Sequence, residues 1–169
     1  MLYSSTGTWY NPRKKVLRLS QDVYHSNSLA ALGVAAHEVG HVLQDELGYA
    51  LFNVRMAIVP LATIGSQLAF PLLLIGLIFS NQVLAKIGVY AFSLAVLFQL
   101  VTLPVEYNAS RRAIEGLSAG GYIENDEIRP TKKVLSAAAL TYVAATLMAV
   151  LQLFRLMFIA GMFGRGKND

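Results

Sequence analysis

Two histidines four residues apart, with a glutamate directly after the first, are the residues in this sequence best suited to chemistry: His37-Glu38-x-x-His41. On an α-helix, side chains at i and i+4 leave from one face. Two imidazoles so placed can bind a single Zn²⁺. Glu38, one residue past the first ligand, is then placed to act as general base toward a water that the metal activates. The flat alternative is a helix whose histidines only make hydrogen bonds.

A catalytic zinc normally takes three protein ligands and keeps one position open. The chain has no Cys and only one further histidine, so the third ligand must be His25 or a carboxylate. His25 falls in a segment that reads as a loop before the helix, where a surface histidine is the ordinary expectation. Glu106 is the better candidate, because a carboxylate at the end of an apolar run is either solvated or functional. It stands in Leu103-Pro104-Val105-Glu106-Tyr107-Asn108-Ala109-Ser110-Arg111-Arg112. Its competing reading is an interfacial ion pair with Arg111 or Arg112. Asp45, Glu46 and Asp22 carry less weight. A tetrahedral oxyanion would need a further donor. Arg111, Arg112, Tyr107 and His25 all qualify, and the sequence does not choose among them. Arg111 and Arg112 equally suit anchoring of a helix end to lipid headgroups.

The elements that must position these groups come next. Lys15–Ser20 alternates apolar and polar residues around Val16, Leu17 and Leu19, a short strand signal. That strand is either an exposed edge able to pair with an extended substrate or a scaffold packed on the helix. Trp9-Tyr10-Asn11-Pro12 reads as a turn, since Asn-Pro favours turn initiation. Ser26 or Ser28 can cap a helix starting near Leu29. It runs to about Glu46, and Gly48 ends it. Gly120-Gly121 marks a loop before a short helix over 124–133.

The rest of the chain is dominated by three apolar runs, Met56 to Phe79, Val83 to Val105 and Val134 to Phe163. Each is long enough to cross a bilayer as helix, which takes about 20 residues. Composition agrees. Of the 169 residues, 55% are hydrophobic and 14% charged, against roughly 25% charged in soluble domains. That balance excludes disorder and argues against a soluble fold. The net charge of +4 does not point to nucleic acid, because the basic residues flank the apolar runs. Residues 1–20 are polar, and no cleavable signal peptide is expected there. Arg13, Lys14, Lys15, Arg18 and Arg55 precede the first run, and Arg111, Arg112, Arg129, Lys132 and Lys133 separate the second from the third. Three spans put both groups on one side, which the positive-inside rule makes cytoplasmic. Glu106 thereby shares a side with His37 and His41.

The expected fold is mainly α, an integral membrane helical protein with a small zincin-like cytoplasmic part. Its organisation reads as follows: 1–54 the strand and zinc-motif helix, 55–105 two transmembrane helices, 106–133 a cytoplasmic helical segment with the third ligand, and 134–169 a third transmembrane helix and short tail.

Several stretches look like one family. Tyr10-Asn11-Pro12, Leu17-Arg18-Leu19-Ser20, Val34-Ala35-Ala36-His37-Glu38-Val39-Gly40-His41, Pro104 to Arg112, and Ala137-Ala138-Ala139-Leu140-Thr141-Tyr142-Val143-Ala144 resemble the YugP-type neutral zinc metallopeptidases of bacterial membranes. The layout is also similar to HtpX-type membrane proteases, in which the glutamate of the later motif is a zinc ligand. Members of the YugP-type family usually carry further residues before the Tyr-x-Pro region, near which this chain begins. The resemblance implies one Zn²⁺ per chain on His37, His41 and Glu106, with Glu38 as base. It also implies a bacterial membrane protein that takes peptide or protein substrates, membrane proteins among them; with the charge count above, the expectation is a multi-pass protein of the plasma membrane whose site faces the cytoplasm. Oligomeric state is not legible. Two competing readings are a non-catalytic membrane binding or scaffold protein that retains the helix, and a zinc hydrolase acting on a non-peptide bond.

Overall fold

In the computed structural model, residues 2–4 and 7–161 are described. Three short strands lead into five helices: β1 (Leu2–Ser4), β2 (Trp9–Asn11), β3 (Val16–Ser20), α1 (Gln21–His25), α2 (Leu29–Glu46), α3 (Ala50–Ile78), α4 (Gln82–Ala119) and α5 (Ile128–Ile159). The protein is mainly helical, with the expected small soluble part beside three long apolar helices.

The turn expected at Trp9 begins later. Trp9–Asn11 is a strand, antiparallel to β3, with Trp9 opposite Arg18 and Asn11 opposite Val16. The Asn11 carboxamide oxygen accepts from the Lys14 N–H at 3.0 Å. Lys15 closes the turn with a positive φ of 50°. Asn-Pro thus starts the turn by ending the strand. β1 pairs parallel to the other side of β3, so the sheet order is β1-β3-β2. Of the two readings of Val16–Leu19, an open edge or a scaffold strand, the pairing decides for the second. Both sides of β3 are occupied, and the strand is scaffold.

Helix α2 has the ends its sequence demands. The Ser28 hydroxyl accepts from the Ala31 N–H at 3.2 Å, satisfying a first-turn donor. At the other end Gly48 takes φ +63°. The Gly48 N–H reaches the Asp45 carbonyl at 3.2 Å, and the Tyr49 N–H reaches that of Gln44 at 2.8 Å. This paired closure needs a left-handed residue, which glycine supplies cheaply. The β2–β3 hairpin is tied to the same end of α2. Lys15 Nζ reaches Asp45 at 2.8 Å and Glu46 at 2.9 Å, and the Tyr10 hydroxyl donates to Asp45 at 2.6 Å.

No separate short helix covers 124–133. After the Gly120-Gly121 loop, α5 starts at Ile128 and runs unbroken to Ile159. Pro130 is only its third residue, where no intrahelical N–H bond is lost. Similarly α4 continues well beyond Val105, its 38 residues carrying Pro104 inside. A span needs about 20 residues, so α4 projects the Glu106 segment past its apolar stretch. Among the described residues, α3, α4 and α5 are each long and apolar enough to cross a membrane.

The chain forms two compact units. The first comprises Met1–Asn53 and Leu103–Thr141, the second Val54–Thr102 and Tyr142–Asp169. In the first, Val105, Ala109, Ala113 and Leu117 form a buried stripe on α4. Gly40 of α2 meets it so closely that a Cβ there would overlap the Ala109 carbonyl. In the second, Leu73, Ala85, Val89, Leu156 and Ala160 make the core. Gly65, Gly76 and Gly88 let α3 and α4 approach backbone to backbone, the way helices pack where lipid replaces water.

Candidate metal centre

Helix α2 points His37 and His41 from one face, their rings edge to face at 4.8 Å between centroids. The Gly40–Ala109 contact sets the Glu106 turn of α4 opposite them. His37 Nε2 lies 3.1 Å from one Glu106 carboxylate oxygen, and His41 Nε2 lies 3.6 Å from the other. The three groups offer ligand atoms all within 4.8 Å of one another. Glu106 is only 2% exposed and His41 8%.

The donor set fits zinc. Ligand atoms around a four-coordinate zinc stand about 3.4 Å apart; the two histidine–Glu106 separations lie near that value, and the ligand atoms of all three residues lie within 4.8 Å. The chemistry fits as well. Each imidazole uses its other nitrogen elsewhere, His37 Nδ1 with the Ser110 hydroxyl at 3.1 Å and His41 Nδ1 with the Gln44 side-chain oxygen at 2.9 Å. Two Nε2 atoms facing a buried carboxylate need a cation between them, a proton or a metal.

Glu38 stands within electrostatic reach of all three groups. Burial pushes its carboxyl up from the ordinary value. The nearby histidines pull the other way, Glu106 adds to the rise, and the Tyr10 backbone N–H donates to it. Strand β2 therefore helps hold the proposed base.

The remaining expected residues are spread around this centre. Tyr107 is 49% exposed. It lines a cavity of about 430 Å³ together with Ser110, Arg111 and Lys132. Arg111 faces Glu115 at 3.7 Å, both well exposed. The Arg112 Nε–H donates to the Asn108 side-chain oxygen at 2.8 Å. His25 is the exposed last residue of α1, its ring edge-on to Tyr24 at 5.1 Å. The structure brings Glu106, not His25, into the His37–His41 cluster.

Three residues of this centre escaped the sequence reading: Gln44, Asn108 and Ser110. Helical spacing held a signal for two of them, since Gln44 is three residues after His41 and Ser110 four after Glu106; Asn108, only two after Glu106, lies off that face. Gln44 is completely buried. Its Nε2 donates to the Val105 carbonyl at 2.7 Å and to the Asn108 side-chain oxygen at 3.0 Å.

Residues 3–161 match the family described as "Putative neutral zinc metallopeptidase". The chain is 45% identical over 159 residues to the "Putative membrane protease YugP" of Bacillus subtilis (strain 168), an alignment covering 94% of this chain and 70% of that relative. No solved structure matches. With His37, half-buried, beside the buried His41 and Glu106 on the motif the sequence singles out, and a match across nearly its whole length, the chain belongs to the neutral zinc metallopeptidase family.

Proposed function

We propose that this protein is a membrane-embedded zinc endopeptidase. It holds one Zn²⁺ per chain on His37, His41 and Glu106, and its site faces the cytoplasm. Its substrates are peptides or proteins, membrane proteins among them. The observation that carries the reading is the Glu106 carboxylate, 2% exposed, with a histidine Nε2 opposite each oxygen. The family and the membrane-protease relative favour a peptide bond over other hydrolysable bonds.

Zinc in this cluster would supply a Lewis acid for the scissile carbonyl and lower the pKa of the attacking water. The chain's own residues do the rest. Glu38 accepts the proton of that water at its carboxylate and returns it to the leaving amine. The Tyr10 backbone N–H, donating to the same carboxylate, keeps it aimed. Ser110 and Gln44 engage the Nδ1 atoms of His37 and His41, leaving both Nε2 atoms turned toward Glu106. The cytoplasmic orientation rests on the ten Lys and Arg residues that flank the spans on that side.

The test is Glu38→Gln, assayed on peptide and protein substrates in detergent or reconstituted membranes. The expected result is a loss of proteolysis of about 10²- to 10⁴-fold, with zinc content and thermal melting unchanged. Proteolysis at the wild-type rate would overturn the assignment of the base. Absence of proteolysis from wild type and variant alike, on a broad substrate panel, would favour the scaffold reading.

A further inference from the structure

We infer that Gln44 is the residue that fixes which nitrogen of His41 is free to bind metal, and that Asn108 and Arg112 lock Gln44 in that orientation. The inference rests on the zinc site proposed above and goes beyond its ligands.

The argument begins at Arg112, whose guanidinium can only donate. Its Nε–H reaches the Asn108 side chain at 2.8 Å, so Asn108 must present its oxygen there. The same oxygen lies 3.0 Å from the Gln44 amide, so Gln44 must present its NH₂ group to it. The Val105 carbonyl, an acceptor by nature, lies 2.7 Å from the same Gln44 nitrogen and demands the same orientation. Both protons of the amide are then committed, and the Gln44 oxygen is left facing His41 Nδ1 at 2.9 Å. That oxygen cannot donate, so Nδ1 must carry the proton. His41 is thereby held with Nδ1–H and a lone pair on Nε2, directed at the cluster. Which way an amide is turned is normally a choice among equals. Here two independent acceptors decide it.

Burial makes the device stringent. Gln44 is 0% exposed and His41 8%, so water is poorly placed to substitute for the amide oxygen. Without that oxygen, the Nδ1–H would have no acceptor, a costly state in the interior. His41 would instead protonate Nε2 and donate to Glu106, and metal would have to displace that proton. Gln44 also joins α2 to the Val105–Asn108 turn of α4, which carries Glu106. Arg112 enters this scheme as a positioning residue, acting through Asn108 and Gln44.

The experiment uses the full chain in mild detergent, stripped of metal. Zinc affinity is read by chelator competition, and the visible spectrum of the cobalt-loaded protein reports site geometry. Gln44→Met keeps length and bulk but has no acceptor oxygen. It is expected to bind zinc about 10- to 100-fold more weakly than wild type, with an altered cobalt spectrum and a cooperative melt. Affinity within twofold of wild type in the folded variant would overturn the inference. The ¹⁵N chemical shifts of the His41 ring in the zinc-loaded wild type provide a second arm if the methionine variant does not fold. Zinc is expected on Nε2 with Nδ1 protonated, and zinc on Nδ1 would contradict the scheme. Failure of the wild type itself to bind zinc would refute the metal site instead, which keeps the two failures apart.

Discussion

At Asp45, burial alone would raise the carboxyl pKa, but hydrogen bonds from Lys15 Nζ and Tyr10 Oη hold it below the usual carboxylate range. Tyr10 is the reciprocal case. Burial and its bond to Asp45 push the phenol up to about 12, so it stays a donor. The sign of the pH dependence follows. A carboxyl depressed in the folded state stabilises fully above its unfolded pKa, and the contribution fades as pH falls through the folded value. Asp45→Ala is expected to lose about 1 kcal/mol at neutral pH, read as a lower melting temperature. The difference from wild type should shrink in acid, and a difference that persisted or grew there would contradict the pairing. None of this network was legible in sequence, because Tyr10 and Lys15 lie 35 and 30 residues from Asp45. The same holds for Gln44 and Ser110, whose partners on the facing helix are 61 to 73 residues away. His37 and His41 were legible because their relation is local, one helical turn. Glu106 was legible because a carboxylate against an apolar run is conspicuous.

Helices α2 and α4 come together through small residues. Gly40 faces the Ala109 carbonyl, and Val105, Ala109 and Ala113 are nearly or wholly inaccessible. This close approach puts Glu106 within reach of both histidines. A methyl group at Gly40 has backbone in its way, and backbone cannot rotate aside as a flexible side chain would. Gly40→Ala should therefore cost about 1–3 kcal/mol and release zinc by parting the two helices. A variant that kept wild-type melting and full zinc would show that the contact is looser than described. Element boundaries were harder to read than element types. Ser28 and Gly48 mark the ends of α2 by local chemistry, and both were legible. β2, at three residues, is too short for an alternation pattern, and Asn11-Pro12 overshadowed it. The first two turns of α5 carry Pro130 and the cations Arg129, Lys132 and Lys133, which read as a break although a helix tolerates proline at its start.

At the scale of the whole chain, the three apolar helices among the described residues follow from composition, and the proposed direction rests on the placement of Lys and Arg. The absence of Cys makes that direction testable without background labelling. With Gln82→Cys and Asp126→Cys introduced singly, a membrane-impermeant thiol reagent added to intact cells is expected to label position 82 and to reach position 126 only after permeabilisation. The reverse pattern would put the metal centre outside. How the soluble part assembles around Glu106 was beyond sequence, since it depends on a contact between α2 and a turn of α4 more than sixty residues later. The central claim is that these distant groups make one metal site, and metal content tests it most directly. The full chain, purified in mild detergent, should carry about one tightly held zinc, lost or strongly weakened in both His41→Ala and Glu106→Ala. A well-folded wild type without zinc, or a Glu106→Ala protein that binds it as tightly as wild type, would contradict the account.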